Sequence, residues 1–287
     1  MKMNEIVISN VSKNFRDVKA LDRVSLHIGE KKIFGLLGRN GAGKSTLLNI
    51  IANRIFADEG TVTIDGESNI ENDRVLRRIY FMSEKSYYPD TMRVRDVYKF
   101  AKEFNPAFDV DRANRISETF ELNTKKKIKT LSTGYTSIFK VVMALSFDLP
   151  FILMDEPVLG LDAYHRELFY RLLLESYAEN PRTFILSTHL IEEVSRIIEE
   201  VIIIKNGVII EQIECEKLLR QGYSVSGRAG DVDEFVKDKK VIGTDTLGGL
   251  KIAQIMGDSK DAAVAENLEI SKLDLQKLFI ILTQKEA

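Results

Sequence analysis

Residues 38–46 read Gly-Arg-Asn-Gly-Ala-Gly-Lys-Ser-Thr, and this stretch decides how the rest of the chain is interpreted. It fits a phosphate-binding pattern in which a glycine, four residues, a second glycine and a lysine precede serine or threonine. The apolar run Ile33–Leu37 comes directly before it, and apolar residues at helical spacing follow at positions 47, 48, 50 and 51. The glycines therefore lie between a predicted strand and a predicted helix, where a phosphate loop requires them.

The glycines of this stretch predict a backbone whose N–H groups point toward an anion at the start of a helix. Lys44 would reach the β and γ phosphates of a nucleotide, and the Ser45 hydroxyl would bind Mg²⁺. We therefore expect the chain to bind a nucleoside triphosphate together with Mg²⁺. The candidate nucleotide-binding residues of the loop are Gly38, Arg39, Asn40, Gly41, Ala42, Gly43, Lys44, Ser45 and Thr46.

Composition excludes several classes of protein. The chain has 287 residues, enough for two domains, and its 44% hydrophobic and 29% charged residues are typical of globular proteins. A net charge of −2 gives no sign of a nucleic-acid partner, and the single cysteine, Cys215, excludes a disulfide within the chain. Because there is no signal-peptide pattern and no run of about 18 apolar residues, we expect a cytoplasmic protein.

The order of predicted elements indicates an α/β fold with a P-loop NTPase core. Alternating strands on both sides of the phosphate loop predict an antiparallel β layer, and apolar strands that alternate with helices predict a mostly parallel sheet. Helical spacing dominates from about residue 84 to 148, which predicts a helical subdomain. The pattern changes again after about Glu216. We therefore expect a nucleotide-binding domain over residues 1–215 and a small C-terminal α+β appendage over residues 216–287.

A second motif follows the apolar run 151–154, which ends in Asp155 and Glu156. A strand of this kind beside a phosphate loop predicts that Asp155 holds Mg²⁺ and that Glu156 activates the attacking water. His189 follows the next predicted strand, at the edge of the sheet where ligands bind in α/β folds. We therefore expect His189 to touch the γ-phosphate.

Over about residues 3–215, these motifs and their order resemble the ATP-binding cassette (ABC) ATPases. Residues 131–135, Leu-Ser-Thr-Gly-Tyr, resemble the family signature, and residues 159–162, Leu-Gly-Leu-Asp, resemble the loop that crosses the dimer interface. The resemblance implies a head-to-tail dimer that sandwiches two ATP molecules. In that dimer Ser132 and Gly134 of one subunit bind the γ-phosphate of the ATP held by the other, and Asp162 lies at the nucleotide site.

The resemblance also assigns roles to single residues. Phe15, by its place before the second predicted strand, resembles the aromatic residue that stacks on adenine. Glu156 matches the catalytic glutamate, and His189 matches the switch histidine.

The chain departs from the family pattern at two places. Thr133 and Tyr135 stand where the signature ordinarily has glycine and glutamine, and Ser83 stands where a glutamine senses Mg²⁺ and the attacking water. A serine is shorter and would need a bridging water, so slower or differently coupled hydrolysis stays open. The candidate metal ligands are Ser45, Ser83 and Asp155.

The appendage and residues 159–162 resemble the exporter subgroup that serves bacterial drug and antibiotic-peptide efflux. This resemblance implies an ATPase subunit on the inner face of the cell membrane that works with integral membrane permease subunits. It would act as a homodimer or beside a paralogous ATPase, and without nucleic acid. An ABC-type ATPase with a regulatory role in place of transport stays open as the alternative.

Overall fold

The computed structural model describes residues 4–85, 88–257 and 267–284. The strands are β1 (Ile6–Phe15), β2 (Val18–Ile28), β3 (Ile33–Leu37), β4 (Glu59–Ile64), β5 (Glu67–Ser68), β6 (Ile79–Met82), β7 (Phe151–Asp155), β8 (Thr183–Thr188), β9 (Glu200–Lys205), β10 (Val208–Glu214), β11 (Gly222–Arg228), β12 (Lys240–Leu247), β13 (Leu250–Met256) and β14 (Glu269–Lys272). The helices are α1 (Lys44–Ile51), α2 (Asp73–Leu76), α3 (Val94–Phe104), α4 (Val110–Thr119), α5 (Thr133–Leu145), α6 (Ala163–Glu179), α7 (Ile191–Val194), α8 (Cys215–Leu219), α9 (Ala229–Phe235) and α10 (Leu275–Thr283).

The central sheet has the strand order β10-β9-β3-β8-β7-β6, and β3, β8, β7 and β6 run parallel to one another. Every residue of β3, β7 and β8 is buried, as expected for strands covered on both faces. Leu37 pairs with Thr188, and Asp155 pairs with Ser187. The carboxyl ends of these three strands therefore meet at one edge of the sheet, which confirms the predicted α/β fold.

A separate antiparallel sheet, with the order β2-β1-β4-β5, forms the predicted β layer. Its buried side chains share one hydrophobic core with residues of β3, α1 and β7. Asp65 and Gly66 connect β4 to β5 with φ angles of 53° and 78°, the left-handed pair that a two-residue hairpin turn requires. In β4 the buried residues are Val62 and Ile64, and in β1 a register shift near Val11 interrupts the alternation, so that Val11 and Ser12 are both buried.

Helices α3, α4 and α5 lie between β6 and β7, in the predicted helical segment. Tyr98 of α3 is buried beside the rings of Phe108 and Phe139, at centroid distances of 5.9 Å and 6.4 Å. Its hydroxyl lies 2.8 Å from the Ser117 hydroxyl of α4, so the buried polar atom is satisfied. Aromatic packing thus joins α3 to α5, and the hydrogen bond joins α3 to α4.

The chain divides into two compact units. The first contains Met1–His189 and Ile202–Gln212, and the second contains Leu190–Val201 and Ile213–Ala287. In the second unit an antiparallel sheet has the order β12-β13-β11-β14, and its core is formed by Tyr223, Val225, Val232, Ala253, Ile255 and Leu268. Helix α10 buries Leu275, Leu278 and Phe279 and contacts α7 and α8.

Several elements differ from those that the sequence pattern predicts. The pattern over residues 191–198 predicts one helix, but α7 ends at Val194 and a tighter turn follows, in which Ile197 N donates to Val194 O. The pattern over 272–283 predicts a helix, which begins only at Leu275 because Asp274 caps it. Strand β14 precedes it. A helix predicted over 260–267 lies outside the described residues except for Asn267, which is in a turn.

Within the described ranges, no helix combines the length and apolar character that crossing a bilayer requires.

Candidate functional site

The phosphate loop requires glycine at defined positions. Gly41 and Gly43 have φ angles of 80° and 110°, which residues with a side chain rarely adopt. A Cβ atom on Gly38 would lie 2.7 Å from the carbonyl oxygen of Ile204, so only glycine fits there. Gly43 is the N-cap residue of α1, and no side chain accepts a hydrogen bond from the first N–H groups of this helix. The loop thus has the glycine backbone and the helix N-terminus that an anion site requires, and phosphate binding there stays a prediction.

A distant turn supports this loop. The Gly207 N–H, between β9 and β10, donates to the Ala42 carbonyl at 2.9 Å, and the Gly207 carbonyl accepts from the Asp22 N–H at 2.9 Å. Gly207 has a φ of 79°, and a Cβ there would lie 2.8 Å from the Ala20 carbonyl oxygen. The turn is thus bonded to the phosphate loop on one side and to β2 on the other.

Lys44 provides the positive charge of the site. Its side chain is buried, and Nζ donates to the carbonyl oxygens of Gly38 at 2.7 Å and Arg39 at 3.4 Å. Burial lowers the pKa of Lys44, and the nearby charges of Glu156 and Asp155 oppose this shift by raising it. The ammonium therefore lies inside the curve of the loop, where it matches the negative charge of a phosphate group.

Asp155 ends β7 next to Ser187 of β8. The Asp155 Oδ1 and Ser187 Oγ atoms are both buried, and neither has a hydrogen-bond partner among the described residues. Because an unpaired buried oxygen is costly, such an atom indicates a ligand or ordered water. Carboxylate and hydroxyl oxygens are hard donors that suit Mg²⁺, and Ser45 lies in the first turn of α1. The donor set of Asp155 and Ser45 thus fits a Mg²⁺ ion.

Glu156 and His189 form a pair beside this edge of the sheet. His189 Nδ1 lies 2.9 Å from Glu156 Oε2, and Lys44 Nζ lies 3.9 Å from Glu156 Oε1. Glu156 has a φ of 49°, and its N–H donates to the Ser187 carbonyl at 2.8 Å. This left-handed backbone turns the chain sharply after β7. The carboxylate can then accept a proton while the imidazole holds its orientation.

The signature residues and the loop 159–162 lie against each other within the chain. The Ser132 hydroxyl accepts from the Tyr135 N–H at 3.3 Å, so Ser132 is the N-cap of α5. A Cβ on Gly134 would lie 3.2 Å from the Gly160 carbonyl oxygen. Asp162 caps α6, accepting from the His165 N–H at 2.9 Å. The two predicted segments are therefore in direct contact.

Ser137 is a residue that the motifs do not indicate. Its hydroxyl donates to the Leu159 carbonyl at 2.7 Å and so connects α5 to the loop 159–162. The available signal is its position four residues after Thr133, on the same face of the helix.

Ser83 and Phe15 lie at the ends of strands. The Ser83 hydroxyl accepts from Arg54 Nη1 at 2.8 Å and donates to the Lys85 carbonyl at 2.9 Å. In the described part of the chain, neither of these hydrogen bonds of Ser83 is made with Asp155 or Ser45. Phe15 ends β1 with 45% of its surface exposed, and the ammonium of Lys13 lies 5.5 Å from its ring centroid. Its ring is therefore open to stacking.

Comparison with known proteins identifies a family. Residues 21–159 match the ABC transporter family. The ABC transporter ATP-binding protein YtrB of Bacillus subtilis is 30% identical over 228 residues, which cover 79% of this chain and 78% of YtrB. The uncharacterized ABC transporter ATP-binding protein MJ1023 of Methanocaldococcus jannaschii is 33% identical, with 76% and 80% covered.

Two other relatives and one solved structure are also similar to this chain. The bacitracin transport protein BcrA of Bacillus licheniformis is 27% identical, with 75% of this chain and 72% of BcrA covered. The sulfate/thiosulfate import protein CysA of Pseudomonas syringae is 31% identical, with 72% and 66% covered. The dimeric structure of MJ0796, a bacterial ABC transporter cassette, superposes with a TM-score of 0.66 at 26% identity, with 73% of this chain and 98% of that chain covered.

Proposed function

The chain belongs to the family of ABC transporter ATP-binding proteins, whose members bind and hydrolyse ATP, and we propose that it powers a membrane exporter. The observation that carries the catalytic part of the proposal is the Glu156 carboxylate between His189 Nδ1, at 2.9 Å, and Lys44 Nζ, at 3.9 Å. This places a base and a phosphate-binding cation side by side. Export is supported by the sequence 159–162, by the C-terminal appendage and by the relative that is named for bacitracin transport.

In the proposed reaction each residue has one task. Lys44 and the backbone N–H groups of the phosphate loop bind the β and γ phosphates. Glu156 takes a proton from the attacking water, and His189 keeps the carboxylate oriented through its ring nitrogen. Asp155 and Ser45 hold Mg²⁺, which supplies charge neutralisation on the phosphates when bound. The buried, unpaired Oδ1 atom of Asp155 supports this assignment.

Further residues complete the nucleotide site in this proposal. Phe15 stacks on adenine, since its ring is exposed at the end of β1. Ser132 and Gly134 bind the γ-phosphate of the ATP held by a second subunit, and Asp162 lies at the same interface. Ser83 would reach a bound Mg²⁺ through a water only if its hydroxyl were released from Arg54, which it contacts at 2.8 Å. That competition supports slower hydrolysis than in proteins with glutamine at this position.

The proposed assembly places two ATPase subunits, identical or paralogous, on the cytoplasmic face of a membrane permease. The proposed division of the chain lies near residue 215, with the ATPase in residues 1–215. Support for pairing comes from the dimeric cassette that this chain resembles. The direction of transport is proposed separately from the ATPase activity, because the relatives include an import protein.

Reconstitution tests the proposal. The chain is first used to isolate its membrane partner by copurification. The complex is then placed in vesicles with the ATPase facing outward. ATP and Mg²⁺ in the outer solution should then drive a candidate substrate, such as bacitracin, into the vesicles, and Glu156→Gln vesicles should not accumulate it. ATP-driven loss of preloaded substrate from the vesicles would contradict export. ATP binding without any turnover would favour the regulatory alternative.

A further inference from the structure

The sheet of the second unit borders a cavity of about 660 Å³, formed entirely by residues after Gln212 in the described part of the chain. Small-molecule sites typically have volumes of about 300–1,000 Å³. The cavity lies where β11 and β12 end and where β13 and β14 begin. None of the proposed ATP-site residues borders it. The cavity therefore has the volume of a small-molecule site and shares no residue with the proposed ATP site.

The strand register shows which face of the sheet forms the cavity. Leu247 pairs with Leu250, and Asp245 pairs with Ile252, so these four side chains lie on the same face of the β12–β13 hairpin. The opposite face carries Ala253 and other residues of the unit's hydrophobic core. Leu247 and Leu250 are 84% and 59% exposed. This second, apolar face is therefore not part of the core of the unit.

The charged residues that line the cavity are Asp245, Glu269 and Lys251. The Glu269 carboxylate lines the cavity and has no ion-pair or hydrogen-bond partner within the described ranges. The Asp245 carboxylate accepts a hydrogen bond from the neutral amide of Gln254, at 3.2 Å. The neighbouring cation, Lys251, is held by Asp233 of α9 at 2.5 Å. Within the described residues, no ion pair neutralises the carboxylates of Asp245 and Glu269.

An apolar wall beside uncompensated carboxylates is complementary to one kind of small molecule. Burial of a hydrophobic body against Leu250 and Ile252 removes apolar surface from water, and a positive charge then meets Asp245 and Glu269. An anion would meet repulsion in the same place. A neutral apolar molecule would gain nothing from the carboxylates.

We propose that this cavity is a binding site for a small organic cation with a hydrophobic body. The site is separate from the ATP site, so binding there does not depend on the proposed direction of transport. Both carboxylates contribute to affinity, and the two leucines with Ile252 provide the contact surface.

The test uses the full-length protein and two probes of nearly equal size and opposite charge. Tetraphenylphosphonium should bind saturably in isothermal titration calorimetry, with one site per chain, and tetraphenylborate should not. Asp245→Asn and Glu269→Gln should each weaken the binding of the phosphonium by up to about fivefold, because an exposed ion pair contributes little. Leu250→Ser should weaken it by about tenfold through lost apolar contact.

Glu234→Gln is the matched control. Glu234 is an exposed carboxylate on α9 that pairs with Lys237 at 2.5 Å and does not line the cavity. Its loss should leave the affinity for the phosphonium unchanged.

Three results would overturn the proposal. They are equal binding of the borate, unchanged affinity in the double variant Asp245→Asn and Glu269→Gln, and the same loss of affinity in the control as in those variants. Sedimentation adds a fourth: if the phosphonium does not bind and Leu247→Ser converts a dimer to a monomer, the apolar face is a protein interface. The charge variants lie on the surface, so their melting temperatures should match that of the native chain.

Discussion

His189 Nδ1 lies 2.9 Å from Glu156 Oε2, and this distance joins the ends of two neighbouring parallel strands in one hydrogen-bonded pair. The other carboxylate oxygen, Oε1, lies 3.9 Å from the Lys44 ammonium. The same carboxylate is therefore near both the histidine and the phosphate-binding lysine. A change at any of the three residues should alter hydrolysis. A change of Lys44 should affect ATP binding, a change of Glu156 the removal of a proton from water, and a change of His189 the orientation of the carboxylate.

Glu156→Gln should stop hydrolysis while ATP still binds. Glutamine keeps the shape of the side chain but cannot take a proton, and loss of a general base lowers turnover by about 10²–10⁴-fold. Because ATP is no longer consumed, the variant should elute as an ATP-dependent dimer in size-exclusion chromatography. Turnover within a few-fold of the native chain would show that Glu156 is not the base. Glu192→Gln, on α7, should behave like the native chain and serves as the control.

Lys44→Ala should abolish ATP binding, because the ammonium provides the charge on the phosphates. The native affinity should also depend on pH. Burial holds the pKa of Lys44 below its usual value, and bound phosphate favours the charged form. Affinity is therefore full at low pH and falls as the pH rises through the pKa of the free protein.

Fluorescence titration with a labelled ATP analogue between pH 7 and pH 10 measures this dependence. Lys44→Arg keeps its charge throughout, so any affinity that it retains should not fall over this range. A native affinity that falls no more with rising pH than the affinity of Lys44→Arg would contradict the assignment of Lys44.

Phe15→Ala should weaken ATP binding by about 1–3 kcal/mol, on the scale of base–aromatic stacking. Its melting temperature should change little, because 45% of the Phe15 surface is exposed. Phe56→Ala is the matched control, since Phe56 is 53% exposed and lies outside the proposed site. Affinity by calorimetry and melting by circular dichroism separate the two effects. A lower melting temperature with unchanged affinity would mean that Phe15 only packs on the fold.

Ser137→Ala should lower kcat by about three- to tenfold and leave the KM for ATP unchanged. The change removes one hydrogen bond, to the Leu159 carbonyl, and such a bond contributes about 0.5–1.5 kcal/mol. Ser137 contacts the loop 159–162 and is not one of the proposed nucleotide-binding residues, so we expect it to act by positioning that loop. Ser137→Thr keeps a hydroxyl and should restore kcat.

Ser195→Ala is the control for Ser137, because the Ser195 hydroxyl makes a similar bond, to the Glu192 carbonyl at 2.7 Å, and is part of neither α5 nor the loop 159–162. A raised KM with constant kcat in Ser137→Ala would show that the residue acts on binding and not on the loop.

The sequence predicts the parts of the site that are local. The phosphate loop is one continuous stretch. Asp155 ends a buried strand and Glu156 follows it, so their places at the sheet edge follow from the pattern. The hydroxyl of Ser132 as an N-cap is likewise a local feature.

Contacts between distant segments could not be predicted in this way. Ser137 meets a carbonyl 22 residues away, and Arg54 meets Ser83 over 29 residues. Both contacts depend on how helices pack, which periodicity does not encode. Strand β14 has only four residues, and its pairing with β11 is made by the backbone, so its side chains carry little signal.

The turn at Gly207 gives the phosphate loop an unusual dependence on a remote part of the chain. Its N–H is bonded to the Ala42 carbonyl at 2.9 Å, so this amide is shielded only while the loop keeps its shape. Hydrogen–deuterium exchange at that one amide therefore reports each opening of the loop. Any side chain at position 207 would press on the Ala20 carbonyl. Substitution of Gly207 should therefore impair nucleotide binding as a substitution within the phosphate loop does, although the two positions are far apart in the sequence.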